Sequence, residues 1–397
     1  MDGTLFAECE MLGANRDGMM RLTEDVTDKL ILESEIDLSF INTLNIEKYD
    51  TALKKFVKKK YPNHTSKIIS TTPPKFTNIF KWKNSFRKNL PSFLIDTNCK
   101  ELNQFNIFHS FYYPFSKAIS KNKIKKSITY LDIIPLKLNG YPKNLVERTK
   151  NIVSCIAGNY AISISEFSKQ DLLNYDNRIK AENVFVAPLA ASPFLFYQSK
   201  NVQDWYIVKE KYKLPDNYFL CVAGNDSRKN VRHVITSFNK LLLQQKYKDI
   251  HLVLTGNTSH SVSMLDELNI SAEIRAQICM PKGYIDSKDL AVLYSNSISF
   301  FFMSLYEGFG LPALEAMQCG VPTVVSNVTS LPEVVGDAGI LLPPTDVDAL
   351  CETMNNLYLS DELREKYSTA GLKRAEQFSW GRCANKYATI FKLINAK

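Results

Sequence analysis

The chain has 397 residues, 45% of them hydrophobic and 23% charged, and carries a formal net charge of +8. That length suits two domains, and the composition is that of an ordinary soluble globular protein, not a disordered or fibrous one. No apolar run approaches the ~20 residues of a membrane span, and the acidic start MDGTLFAECE lacks the basic-then-apolar plan of a signal peptide.

In chain order, TLFAECEML, IDLSFIN, FNIFHS, KSITYLDIIPL, YAISIS and NVFVAPLA are predicted strands of the first half. Helical spacing occurs around MRLTEDVTDKLILE and SKQDLLNY. Residues 51–90 interrupt this plan with eleven Lys or Arg and no acid, leaving the remainder at net −3. Aromatics alternate with the basic residues in LKKFVKKKYP and FKWKNSFRKNLPSF. An anionic membrane surface suits such a stretch, as does a solvated basic face. Nucleic acid is set aside, because no recognised binding module surrounds it.

The proline-bearing stretch APLAASPFLFYQSKN (187–201) is the expected linker. Beyond it, YFLCVAG, IHLVLTG, SISFFFM and PTVVS are continuous apolar runs separated by helical stretches such as NVRHVITSFNKLLLQQ. Strands apolar on both faces, alternating with helices, predict parallel sheets covered on both sides. The fold class is therefore α/β, two doubly wound lobes with a cleft between them as the natural ligand site. The tail GRCANKYATIFKLINA puts Cys383, Tyr387, Ile390, Phe391 and Ile394 on one helical stripe. Eight cysteines are scattered without a close pair, which is neither a zinc pattern nor a disulfide framework. A reducing, cytoplasmic setting fits them.

Two constellations carry chemistry. In YEGFGLPALE (306–315), Glu307 and Glu315 bracket a Gly-Phe-Gly turn that follows a buried strand and opens a helix. Backbone amides there face a phosphate readily. Glu315, expected in the first helical turn, is able to accept hydrogen bonds from a vicinal diol or merely to complement the helix dipole. In AGNDSRKNVRHVI, a strand ending at Gly224 leads to Arg228 and Lys229, cations placed to neutralise a diphosphate. Asp346 and Asp348 in TDVDAL spell an Asp-x-Asp pair, but they open a helical pattern and read as capping. The five histidines lack metal-site spacing, so no metal is expected. His109, ending a predicted strand, is a candidate substrate contact. A nicotinamide fingerprint is absent, since neither AGNDSRKN nor GANRDG is a G-x-G-x-x-G.

SRKN, GYIDSKDLAVLYSNS, SLYEGFGLPALEAMQCGVPTVVSNVTSLPEVVGDAGILLPP and AEQFSW resemble family 4 of the retaining, nucleotide-sugar-dependent glycosyltransferases, which have the GT-B fold. These motifs cover most of residues 218–380. The first half resembles the family through FHSFYYP, LDIIPL and SEFSKQDLL. The resemblance implies an acceptor-binding domain at 1–195, a donor-binding domain at 196–380, and a C-terminal helix, 381–397, crossing back onto the first. It implies that Glu307 contacts donor-sugar hydroxyls and Glu315 the ribose. Gly308, Phe309, Gly310 and Leu311 would approach the sugar and diphosphate, with Lys229 and Arg228 neutralising the latter. Asp132 becomes a catalytic candidate, and Gly18 joins His109 on the acceptor side. The chain departs from the pattern at Asn225, where relatives have arginine, and at Leu131, where they have histidine.

The implied activity is metal-independent, retaining transfer of a hexosyl group to a hydroxyl of a glycan or polyprenyl-linked saccharide. The donor is a nucleoside diphosphate sugar, with no further cofactor, and the RKN variant leans towards GDP-mannose. The expected place is the cytoplasm, peripheral at the inner face of the membrane through residues 51–90. An inactive sugar-nucleotide scaffold and a GT-B-fold epimerase or phosphorylase are the alternatives.

Overall fold

Every strand described pairs in parallel with its neighbours, and the strands form two separate sheets. The computed structural model describes residues 4–8, 18–33, 37–41, 55, 57–62, 68–69, 105–115, 117–224 and 226–397. Most of the basic stretch 51–90 lies outside these residues, as do Asn225 and residues 9–17 ahead of Gly18. The chain divides into one unit of Met1–Pro188 with Trp380–Lys397, and a second of Leu189–Ser379.

The first unit holds β1 (Thr4–Glu8), β2 (Asp37–Ile41), β3 (Ile68–Ile69), β4 (Ile107–Ser110), β5 (Lys125–Tyr130), β6 (Tyr160–Ser163) and β7 (Val184–Val186). Their order is β3-β2-β1-β4-β5-β6-β7. Strand β5 stops earlier than the run KSITYLDIIPL suggests. The Asp132 Oδ1 accepts the Ile134 N–H at 2.9 Å, and Pro135 sits in the first turn of the short helix Ile134–Lys137. The C-terminal helix Trp380–Ala396 buries the stripe Cys383, Tyr387, Ile390, Phe391 and Ile394. Its end is tied down by the Lys125 ammonium, which donates to the carbonyls of Ile394 (3.1 Å) and Asn395 (2.7 Å).

The second unit holds β8 (Asn217–Ala223), β9 (Ile250–Gly256), β10 (Ile278–Cys279), β11 (Ser299–Phe302), β12 (Thr323–Ser326) and β13 (Ile340–Leu342). The order β10-β9-β8-β11-β12-β13 is that of a doubly wound dinucleotide-binding sheet, with its reversal between β8 and β11. Strand β11 explains the burial pattern best, because successive side chains point to opposite faces and both faces are covered. Phe301 meets Phe219 edge-on at 5.1 Å, while Phe300 stacks on Phe302 and tilts against Tyr294. The helix Val231–Gln245 buries Val231, Val234, Ile235, Phe238, Leu241 and Leu242, a stripe of helical period against the Phe219 face.

The unit boundary falls at Pro188, ahead of residue 195. Segment 189–199 packs into the second unit, since Phe196 is buried against Tyr294. Its carbonyl accepts from Gln318 Nε2 at 2.6 Å, and the Ser199 N–H donates to Ser295 Oγ at 2.9 Å. Among the described residues, no helix is long and apolar enough to cross a membrane.

Candidate active site

Ligands of open α/β sheets bind outside the carboxyl ends of the strands where the strand order reverses. Here the loops after β8 and β11 meet at that place. The β8 loop forms a single 3-10 turn, Ser227–Lys229, capped by Asp226, whose Oδ1 accepts the Arg228 N–H at 3.1 Å. Asn230 then takes a left-handed conformation, φ 54°, and its amide donates to the carbonyls of Met303 (3.0 Å) and Pro344 (2.7 Å). One asparagine thus ties the loops after β8, β11 and β13. The β8 and β9 ends also approach closely: a Cβ on Gly256, φ +89°, would stand 2.8 Å from the Ala223 carbonyl oxygen.

Glu307 is the centre of the site. Its residue is 8% exposed, and a carboxylate this dry needs compensation by charge and hydrogen bonds. Arg228 Nη1 lies 2.5 Å from Oε1, Lys229 Nζ 3.6 Å from it, and the Ser304 hydroxyl donates to it at 2.9 Å. The Arg228 guanidinium has further partners: Nε donates to Asp226 Oδ2 (2.8 Å), and the same Nη1 donates to the Tyr306 carbonyl (2.8 Å). The Lys229 ammonium sits over the Phe302 ring, 4.6 Å from its centroid.

The Gly-Phe-Gly turn is held from behind. The Ser330 hydroxyl lies 3.0 Å from the Glu307 carbonyl and 2.8 Å from that of Phe309, and Thr329 Oγ1 accepts the Glu307 N–H at 3.2 Å. Thr329 has φ 59°, a costly conformation for a β-branched residue, which the neighbouring bonds sustain. Phe309 is buried edge-on against Phe378, over which Arg374 stacks while donating to the carbonyls of Glu333 and Val334. Gly310 adopts φ +107°, and the helix Leu311–Gln318 starts directly after it, with Pro312 in its first turn.

The structure brings Arg228, Lys229, Glu307, Gly308, Phe309, Gly310, Leu311 and Glu315 into two adjoining loops and one helix of the second unit. Glu315 is half-buried and is the fifth residue of its helix, so no acid stands in the first turn. The expected first-turn position is corrected accordingly, and the helix dipole offers little reason for a carboxylate there. Burial pushes the nearby Cys221 thiol up to about 12, so it stays protonated as a small core residue. Asp346 caps the helix Val347–Leu359 through the Ala349 N–H (2.9 Å), and Asp348 pairs with Lys240. Among the described residues, no three His, Cys, Asp or Glu side chains gather as a metal-binding group.

The acceptor-side candidates lie in the first unit. Gly18 opens the helix Gly18–Glu33, and Asp132 follows β5, half-buried and bonded to the Ile134 amide. His109 is corrected to a core histidine. It is fully buried, with Nδ1 2.8 Å from Ser127 Oγ and Nε2 3.0 Å from Thr129 Oγ1. Phe111, Tyr387 and Phe391 meet its ring edge-on. Burial lowers its pKa to about 3, so it is neutral and presents no ring nitrogen to an acceptor. Sequence reasoning missed Ser304, Thr329, Ser330 and Arg374. For Thr329 and Ser330 the available signal was the polar run SNVTS at the end of β12, the strand beside β11.

Residues 204–374 match the family described as glycosyl transferases group 1. The chain is 35% identical over 234 residues to O-antigen chain mannosyltransferase B of Escherichia coli, covering 59% of this chain and 60% of that protein. Sucrose-phosphate synthase of Thermosynechococcus elongatus has the same fold, with TM-score 0.70 and 17% identity over the whole of both chains. Anabaena Alr3699/HepE, solved in complex with UDP, superposes with TM-score 0.69 at 14% identity, over 99% of this chain and 100% of that one. The two sheets are thus those of the GT-B fold.

Proposed function

We propose, from the match of residues 204–374 to the group 1 glycosyl transferases, that the protein transfers a hexosyl group from a nucleoside diphosphate sugar to a hydroxyl of a glycan or lipid-linked saccharide. The observation that carries this reading is the meeting of Lys229, Glu307 and the Gly-Phe-Gly amides at the reversal between β8 and β11. A diphosphate there is neutralised by Lys229 and accepted by backbone N–H groups at the start of Leu311–Gln318. Glu315, just over one turn along that helix, takes the ribose hydroxyls. Glu307 takes the hydroxyls of the sugar.

Transfer with retention proceeds at one face of the ring. The anomeric carbon–oxygen bond to the diphosphate breaks, the acceptor oxygen bonds to the same carbon, and the acceptor proton passes to the departing phosphate. No protein nucleophile is required. The protein's part is to stabilise charge as it develops on the leaving group and to orient the sugar. Asp132 and Gly18 are the first-unit groups of this reading. The donor is GDP-mannose, supported by the RKN loop and by the mannosyltransferase to which the chain is similar. The match spans 60% of that relative's length.

Two measurements test the reading. Thermal stabilisation by GDP, UDP, dTDP and ADP is expected from one nucleotide, adding about 2.7 kcal/mol at 100 times its Kd, and Glu315→Ala abolishes it. Transfer is then followed by proton NMR of the product. Glu307→Ala lowers kcat at least about a hundredfold if its contact tightens at the transition state. Near-normal turnover of that variant, or inversion at the anomeric carbon, overturns the assignment.

A further inference from the structure

Arg228 and Lys229 are neighbours on one turn, yet their surroundings differ. The Lys229 ammonium faces the Phe302 ring and approaches Glu307 at a distance of 3.6 Å, longer than a hydrogen bond. The Arg228 guanidinium is engaged within its own chain. Asp226, whose carboxylate takes Nε, matches its charge, and the Tyr306 carbonyl and Glu307 Oε1 take Nη1. The Arg228 carbonyl is also used: it accepts the Leu305 N–H at 2.7 Å and lies 3.0 Å from the Ser304 hydroxyl. Main chain and side chain of Arg228 together therefore fix Ser304, Leu305, Tyr306 and Glu307, the whole approach to the Gly-Phe-Gly turn. Ser304 completes the brace, its hydroxyl standing between the Arg228 carbonyl and Glu307 Oε1, and its own carbonyl accepts from Ser326. Every one of these contacts to the carboxylate falls on Oε1, which leaves Oε2 outside the brace.

We propose that Arg228, with Ser304, is a positioning residue that holds Glu307 for the donor sugar, and that the diphosphate is left to Lys229 and the turn amides. This rests on the donor-site reading above and departs from the pairing of both cations with the diphosphate that the family resemblance implies. Moving the guanidinium to a phosphate would break bonds to Asp226, Tyr306 and Glu307 at once, and would strip a buried carboxylate of its nearest cation. Lys229 gives up only a long approach to Glu307 and its place over the Phe302 ring when it turns to an anion, and breaks no hydrogen bond of the brace. The two adjacent cations thus have separate duties, orientation of the sugar-binding acid and neutralisation of the leaving group.

The test uses the full chain and whichever of GDP, UDP, dTDP and ADP stabilises wild type. Isothermal titration gives that nucleotide's Kd, and donor turnover gives kcat and KM, for Arg228→Met, Ser304→Ala and Lys229→Met. Loss of a charge-assisted bond in Lys229→Met weakens the nucleotide by about tenfold or more. Arg228→Met and Ser304→Ala keep its Kd within about threefold, while a misplaced Glu307 lowers their kcat by roughly ten- to a hundredfold. Retained nucleotide binding shows that the pocket of each variant is folded, and Ser304→Ala carries the test alone should Arg228→Met fail to fold. Nucleotide affinity lost equally in Arg228→Met and Lys229→Met makes Arg228 a phosphate ligand and overturns the proposal. Unchanged kcat in Ser304→Ala, or in a folded Arg228→Met, overturns it as well. If none of the four nucleotides binds wild type, the donor-site reading falls first and this inference with it.

Discussion

Replacing Gly310 with alanine perturbs the turn between Glu307 and the helix Leu311–Gln318 without touching any polar group. Two costs follow from the structure. The residue stands at φ +107°, ψ 42°, beyond the small left-handed region open to L side chains, which costs about 1–2 kcal/mol. The new Cβ would also lie 2.5 Å from Leu331 Cδ2. Leu331 is fully buried, so its methyl has nowhere free to go, and overpacking of this kind costs typically about 1–3 kcal/mol. The sum is roughly 2–4 kcal/mol, allowing for partial relief of one strain by the other. For a unit of this size each kcal/mol lowers Tm by about 2–4 °C, so the shift is roughly 4–16 °C. Differential scanning calorimetry reads it directly. Gly224→Ala is the matched control, because its Cβ would meet Lys229 Cγ at an ordinary 3.7 Å and its φ is unremarkable. A melting temperature for Gly310→Ala within a degree of wild type, or equal losses in both variants, would refute the reasoning.

Three further outcomes are expected. His109 is neutral in the fold, with its pKa lowered by burial to about 3, so stability is complete above pH 6.5 and falls as pH drops from there towards 3. At pH 5 the loss is about 2 kcal/mol by linkage; urea unfolding at pH 7.5 and 5.0 should show it for wild type and show less for His109→Gln, and identical slopes would exclude the histidine as the cause. Asp346→Ala removes a helix cap worth about 1 kcal/mol, with kcat unchanged and no altered response to chelators; a loss of turnover reversed by added divalent metal would revive the Asp-x-Asp motif. Phe301→Ala, in the middle of β11, costs about 3–5 kcal/mol, and a chemical-denaturation midpoint near that of wild type would contradict the packing described.

Why Glu307 was legible from the sequence while its brace was not comes down to distance along the chain. Continuous apolar runs such as IHLVLTG mark buried parallel strands by composition alone, and IHLVLTG coincides with β9. The two-residue strands β3 and β10 carry too few side chains to make a pattern. The glycine context of Glu307 is local, ten residues read in a row. Its brace is not: Arg228 and Tyr306 stand 78 positions apart, and they meet because β11 lies beside β8 while β9 and β10 lie on the other side. Nothing in the loop after β8 signals that a strand so far ahead will pair there. The same reason misplaced His109. A strand buried on both faces shows no alternation to separate a ligand-facing side from a core-facing one. What decides the matter is Tyr387, whose hydroxyl bonds Thr129 across 258 positions and whose ring closes over the imidazole. A polar residue on such a strand can therefore be assigned to substrate only after the helices covering it are known, whereas an acid in a glycine turn at a strand's carboxyl end cannot be absorbed by a sheet face. That asymmetry is why the site of the second unit can be argued residue by residue from the sequence and the candidates of the first unit cannot.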